Sequence, residues 1–322
     1  MIYSMKFKNL FIIACLLAAN VSIAAEKALI RIGVQTFGTV DWELTAIAPA
    51  DDASYQLEIT HVANAEAGKI ALQSGAVDMI VADWVWVAKL RASGNDFNFY
   101  PYSTTSGAVV IPDDSPIKTL ADLKGKRLGI GGGELDKNWL LLQALAKQQG
   151  FDLAANVEKT FAAPPLISEQ LKQKRVDAAL TYWHFAARLQ TQGFKQLLDG
   201  KAILQGLGIK ENIPAIGYVF KQSWATEHKI AVNQFLADSK QAKNRLCTDD
   251  SAWQKIIPFT KTDDTATQTK LRTGYCDGDI NQWTDQEQQA IARVYKLLHG
   301  ISPQLTGDAG DLPAGMFWQM AL

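Results

Sequence analysis

Arg31-Ile32-Gly33-Val34 and Arg127-Leu128-Gly129-Ile130 are two copies of one short phrase, and each is followed by the same downstream pattern. After the first come Leu72, Val77-Asp78 and Trp84; after the second, at matching internal spacing, come Leu171, Val176-Asp177 and Trp183. Two matches in one order, each at a strand-like segment, read as a duplicated unit. Around the first copy, Ala28–Gln35 is a β-rich run closing on Thr36-Phe37-Gly38, Asp41–Ala50 reads as a short helix, and Gln56–Val62 alternates as a strand. Ala65–Gln73 has helical spacing ended by Gly75, and Val77–Ala82 is continuously apolar, as in a strand buried on both faces. This βαβαβ rhythm predicts an α/β fold of parallel-rich sheets flanked by helices, built twice.

The second unit sits inside the first. Gly107–Ile111 is an apolar strand, and Pro112-Asp113-Asp114-Ser115-Pro116 is a sharp turn where the chain can leave one lobe. Ile213-Pro214 precedes Ala215–Lys221, a strand that carries it back. Lobe 1 is then 25–110 plus 216–322 and lobe 2 is 111–215, joined by two crossing strands at a hinge. The last third reads as helices over Ala225–Leu246, Ser251–Ile257, Thr265–Thr273 and Thr284–Leu298, the last opened by a Thr284/Glu287 capping box, and is expected to pack back on lobe 1.

Lys6 and Lys8, the apolar run Leu10–Ala19 and the exit Val21-Ser22-Ile23-Ala24-Ala25-Glu26 have the form of a secretory leader, residues 1–24, cleaved near Ala24. A lipid anchor at Cys15 is disfavoured, because it leaves too short an apolar region. The protein is expected in the periplasm. Once the leader is gone Cys247 and Cys276 remain, and an even pair in an exported chain reads as a disulfide. A net charge of −1 offers no handle for nucleic acid.

Ser115-Pro116-Ile117-Lys118-Thr119-Leu120-Ala121-Asp122-Leu123-Lys124-Gly125-Lys126-Arg127-Leu128-Gly129-Ile130 resembles the opening of the second lobe in periplasmic solute-binding proteins of ABC importers, in the nitrate, sulfonate, taurine and thiamine-precursor group. Ser74-Gly75-Ala76-Val77-Asp78-Met79-Ile80 and Arg175-Val176-Asp177-Ala178-Ala179 look like the matching strands of the two lobes. The resemblance runs the length of the exported chain. It implies a two-lobed periplasmic binding protein fold that closes on a small molecule and docks to an inner-membrane ABC permease. It does not name the ligand.

Ligands of open parallel sheets bind beyond the carboxyl ends of the strands. That rule selects Thr36–Trp42, Asp83–Trp84, Thr104–Gly107, Gly131–Asn138 and Tyr182–His184. The candidate contacts are Phe37, Asp41, Trp42, Asp83, Trp84, Thr105, Ser106, Gly132, Glu134, Asp136, Tyr182, Trp183 and His184. Four carboxylates stand against one lysine, Lys137, and no arginine falls in these stretches. With the aromatic residues, that balance favours an organic cation or nitrogen heterocycle through ion pairing and cation–π contact. Two readings stay beside it. Asp41, Asp83 and Asp136 also fall at helix starts, where they cap the first turn, and Trp84 and Trp183 also suit an interlobe core. If the acids are caps, the Gly131-Gly132-Gly133 amides make a sulfonate- or nitrate-type anion plausible. The acids could instead gather a hard cation or metal chelate, with His184 adding nitrogen, although no His/Cys spacing suits zinc.

No G-x-S-x-G, H-E-x-x-H or Walker pattern is present, and neither late cysteine falls in the cleft stretches, so catalysis is not expected. No cofactor and no resident metal is expected, and the protein is expected to be a monomer. An accessory or sensor role beside a periplasmic redox enzyme is the alternative outside transport.

Overall fold

A computed structural model describes residues 27–320, so the expected leader and Cys15 lie outside the described residues. The first unit runs β1 (Ala28–Gln35), α1 (Val40–Ala46), β2 (Tyr55–Val62), α2 (Ala65–Ser74), β3 (Met79–Asp83), α3 (Trp84–Ala92) and β4 (Phe97–Ser103). The second runs β5 (Gly107–Pro112), β6 (Arg127–Gly131), α4 (Lys137–Gln148), α5 (Leu153–Asn156), β7 (Glu158–Ala162), α6 (Pro164–Lys172), β8 (Ala178–Tyr182), α7 (Trp183–Leu189), β9 (Phe194–Asp199) and α8 (Gly200–Gly206). The chain then returns through β10 (Ile216–Lys221) to α9 (Gln222–Glu227), α10 (Lys229–Thr248), α11 (Asp250–Thr260), α12 (Thr265–Asp277), α13 (Asp285–Ile301) and α14 (Pro303–Thr306).

Two five-stranded sheets result, ordered β2-β1-β3-β10-β4 and β7-β6-β8-β5-β9. The order β2-β1-β3 matches β7-β6-β8, each set parallel, and in each sheet the next strand runs antiparallel: β10 beside β3, β5 beside β8. This is the expected two-lobed architecture, and the repeated phrase has a physical cause. The Arg31 guanidinium reaches Asp78 at 2.5 Å while the Arg31 amide donates to the same carboxylate at 3.0 Å. Arg127 holds Asp177 in the same way, at 2.6 and 2.9 Å. Each pair locks the start of a central strand to the segment leading into its neighbour. The glycine two residues after each arginine makes room for a packed side chain: a Cβ on Gly129 would meet Ile167 of α6 at 3.0 Å, and one on Gly33 would meet Ile80 of β3 at 3.1 Å.

The crossing differs from the sequence expectation. Gly107–Ile111 belongs to the second sheet, where β5 pairs with β8 and β9, so the chain leaves lobe 1 before Gly107 and not at Pro112–Pro116. The two crossing segments touch, with the Ala215 amide donating to Ser103 O at 2.7 Å.

The helical tail also differs, because it spans both lobes. α12 packs on α10 of lobe 1 and on α7 of lobe 2, while α13 packs on α4 and α14 on α3. Thr191 and Thr267 share a hydrogen bond at 2.8 Å, and Arg293 pairs with Glu211 at 2.6 Å. The expected helix 225–246 is broken at His228 into α9 and α10. Cys247 and Cys276 form the expected bridge, Cα atoms 5.7 Å apart, fastening the end of α10 to α12. The α12 end also grips the first crossing: Thr105 Oγ1 donates to Gly274 O at 3.0 Å and the Thr104 amide to Gly278 O at 2.9 Å.

Candidate functional site

The lobes face each other across the carboxyl ends of β1, β3, β6 and β8, and the candidate residues divide by what already holds them. Trp42 and Trp84 are each 1% exposed and belong to the packing, which corrects the expectation that they wall a ligand. Trp42 sits edge-on to Trp183 and Trp253 at 6.1 and 5.6 Å and donates its Nε1–H to Phe259 O. Trp84 donates its Nε1–H to Pro214 O at 3.0 Å, pinning the return crossing. Burying a large ring of this kind is worth about 1.5–3 kcal/mol, and here protein contacts absorb it. Trp183 is half-buried and lies on Gly274, where a Cβ would come within 2.9 Å of its ring.

The acids are also largely engaged. Asp41 pairs with His61 of its own lobe at 3.1 Å. Asp83 caps α3 by accepting from the Val85 amide at 2.7 Å, and its other oxygen meets Lys137 Nζ of lobe 2 at 2.6 Å. Lys137 also donates to Ala215 O at 2.6 Å and stands 5.2 Å from the Trp84 ring, so this one ion pair spans the cleft beside the hinge. Asp136 caps α4, accepting from the Asn138 and Trp139 amides at 2.9 and 3.1 Å. Gly132, at φ 129°, gives that carboxylate its place, since a Cβ there would lie 3.2 Å from it. The Gly132 amide is spent on Ala162 O. At Gly132 the turn is therefore built around the protein's own carboxylate. Burial, then the nearby Asp83, pushes Asp136 up to about 6. Glu134 is exposed.

Three buried or half-buried side chains of the candidate set complete no hydrogen bond with the protein. Tyr182 is half-buried, its hydroxyl raised by burial and by Asp136 and Asp83. Ser106 lies against Gly200. His184 is 7% exposed, and neither ring nitrogen completes a hydrogen bond, although the Phe37 backbone lies near the ring. Burial and then the Arg188 charge lower it to about 3, so the ring is neutral at any ordinary pH. Thr105 is spent on α12, and Phe37 is exposed, with Lys261 Nζ 5.6 Å from its ring.

The sequence stretches missed Arg188. It lies one helical turn after His184 on α7, a spacing that puts both on one face. Its guanidinium donates to His184 O at 2.9 Å and to Thr260 O of the tail, and among the described residues no carboxylate pairs with it. Burial lowers its pKa. Among the described residues no group of three or more His, Cys, Asp or Glu could hold a metal ion, so the gathered oxygen ligands are not formed.

A family model described as NMT1/THI5 like matches residues 51–249, more than half of the chain. A protein of Escherichia coli (strain K12), named for binding aliphatic sulfonates, is 30% identical over 139 residues, which cover 42% of this chain and 43% of that protein. The match thus spans less than half of that relative's length. Among solved structures, the alkanesulfonate-binding protein SsuA from Xanthomonas axonopodis pv. citri, bound to MOPS, superposes with a TM-score of 0.70 at 19% identity, over 91% of this chain and 99% of that one. The periplasmic aliphatic sulphonate binding protein SsuA from Escherichia coli gives 0.72 at 17% identity, over 92% and 94%. At these identities the likeness to the solved structures is one of fold.

Proposed function

The chain belongs to the NMT1/THI5-like family, and from that premise we propose that it is an extracytoplasmic solute-binding protein that captures a small organic oxyanion of the sulfonate class between its lobes and delivers it to an ABC permease. The observation that carries the ligand class is Arg188, a half-buried guanidinium at the lobe junction with no carboxylate partner among the described residues. Arginine offers five N–H donors in a planar fork that suits an oxyanion, and only two of its groups are committed to carbonyls. The relative named for aliphatic sulfonates supports the same class.

The organic cation favoured by the residue count loses most of its support. That count set four carboxylates against one lysine, but Asp41 is paired, Asp83 is paired and capping, and Asp136 is a cap. Asp136 alone keeps a cationic reading alive: it is a half-buried carboxylate beside the cleft whose partners are backbone amides. A zwitterionic aminosulfonate would satisfy both ends. The work of the site is binding, with the neutral His184 ring and Tyr182 hydroxyl completing the polar contacts. Export to the periplasm and a monomeric state belong to the same proposal.

Thermal unfolding with a ligand panel tests it, because a ligand at one hundred times its Kd adds about 2.7 kcal/mol to the folded state. The panel is ethanesulfonate, taurine, nitrate, a quaternary amine and a thiamine precursor. Ethanesulfonate or taurine should raise the melting temperature. A rise with the quaternary amine alone would sink the oxyanion reading.

A further inference from the structure

Lobe 1 contains a second polar cavity, apart from the cleft, of about 100 Å³. Its lining includes Glu43, Tyr102, Tyr218, Lys243 and Trp283, brought together from α1, the end of β4, β10, α10 and the segment before α13. The Trp283 Nε1–H at this cavity has no protein partner, and the Tyr102 hydroxyl, on a residue only 5% exposed, completes no hydrogen bond although Tyr275, Glu43 and Thr39 lie near it. Lys243 is 3% exposed. Its ammonium donates to Tyr102 O at 2.9 Å and Gly278 O at 3.2 Å, which leaves one N–H of three uncommitted. Among the described residues no carboxylate lies within ion-pairing distance of it.

The carboxylate one would expect as counter-ion is Glu43, but it is held elsewhere. Glu43 is 0% exposed and accepts from the Tyr218 and Tyr275 hydroxyls, each at 2.9 Å, and from the Ser239 hydroxyl. Burial pushes it toward its neutral acid, and the Lys243 charge only partly opposes this. Burial lowers the Lys243 pKa, and Glu43 and then Asp279 at the same lining oppose this without contacting the ammonium. A buried ammonium without a contact counter-ion costs free energy that a small anion removes. The buried groups here that complete no hydrogen bond, the Tyr102 hydroxyl, the Trp283 Nε1–H and the third Lys243 N–H, can each donate.

We propose that this cavity is a binding site for a small monovalent anion, from halide to formate in size, held by the Tyr102 hydroxyl, the Trp283 Nε1–H and the Lys243 ammonium. The site is independent of the cleft and of the ligand proposed for it. Crystals grown in sodium bromide test it directly. The expected result is an anomalous difference peak within hydrogen-bond distance of Tyr102 Oη and Trp283 Nε1. Weak density there with no anomalous signal would mean water fills the cavity and would overturn the proposal. In solution, chloride-35 line broadening by the protein, measured without any sulfonate, should compete with bromide and fall roughly ten-fold in affinity in Tyr102→Phe, the loss of one charge-assisted hydrogen bond. Trp283→Phe, nearer the surface, repeats the test should the first variant fold poorly. Broadening unchanged in both variants would also overturn it.

Discussion

Replacing Arg188 by methionine removes the guanidinium while keeping an unbranched apolar stem on α7. The side chain now donates to two carbonyls, His184 O and Thr260 O, so most of its five N–H groups are free for an oxyanion. A hydrogen bond to a charged group contributes about 1.5–3 kcal/mol, so ethanesulfonate affinity should fall about 10- to 150-fold. Arg188→Lys retains the charge without the planar fork and should fall between wild type and Arg188→Met. Stability is a separate quantity, because the Met variant also leaves the Thr260 carbonyl without this donor, at about 1–3 kcal/mol if it stays dry, while His184 O keeps its helical donor. Urea unfolding measures that loss, and titration calorimetry on folded protein measures the affinity. A folded Arg188→Met protein that binds ethanesulfonate as tightly as wild type would show that the oxyanion sits elsewhere and that Arg188 only ties α7 to the tail.

Acidification should expose two opposed groups. His184, lowered to about 3, has a folded pKa below the free value, so the unfolded chain takes the proton first and stability falls as pH drops below about 6.5, by about 2 kcal/mol at pH 5. Asp136, raised to about 6, works the other way: stability rises as pH falls from about 6 toward 3.8, by about 1.4 kcal/mol at pH 5. Urea titrations across pH should therefore show His184→Asn gaining, and Asp136→Asn losing, relative stability on acidification, and the reverse order would contradict both environments. Reducing the Cys247–Cys276 bridge, which closes a separation of 29 residues, should cost about 3.5 kcal/mol through chain entropy, read as a lower urea midpoint in reductant that Cys276→Ser reproduces. Gly274→Val sets a Cβ 2.9 Å from the Trp183 ring and should force lobe 2 off α12, at about 1–3 kcal/mol, with a larger radius of gyration by X-ray scattering.

The duplicated α/β unit was legible because its markers recur in the same order and at nearly the same spacing, each arginine meeting an aspartate 47 or 50 residues on. Sheet membership was not local. Gly107–Ile111 is apolar throughout and would read the same in either sheet, and only its pairing with β8 and β9 decides. The α9/α10 break at His228 lacks a proline or glycine to announce it. The helix read as Ser251–Ile257 continues through Pro258 to Thr260 in α11. In the site, the acids were found but their use was ambiguous, since a helix cap and a ligand carboxylate need the same residue at the same place. Arg188 lay outside the strand-end stretches and could have been reached only by following the α7 face one turn past His184.

All five strands of the second sheet, β5 to β9, come from one uninterrupted stretch of chain, and the segments that lead into and out of it are bonded to each other at Ser103 and Ala215. Half of the cleft is therefore encoded as a cassette with adjacent ends. Recombination with cuts before Gly107 and after Gly208 could exchange that half, with Asp136, Tyr182, His184 and Arg188 aboard, while the first sheet keeps its own strands. What such an exchange must preserve is the seam where the tail lies on lobe 2, α13 on α4 and α12 on α7. A donor half with other side chains on those two helix faces would fold its sheet and still leave the tail without a seat.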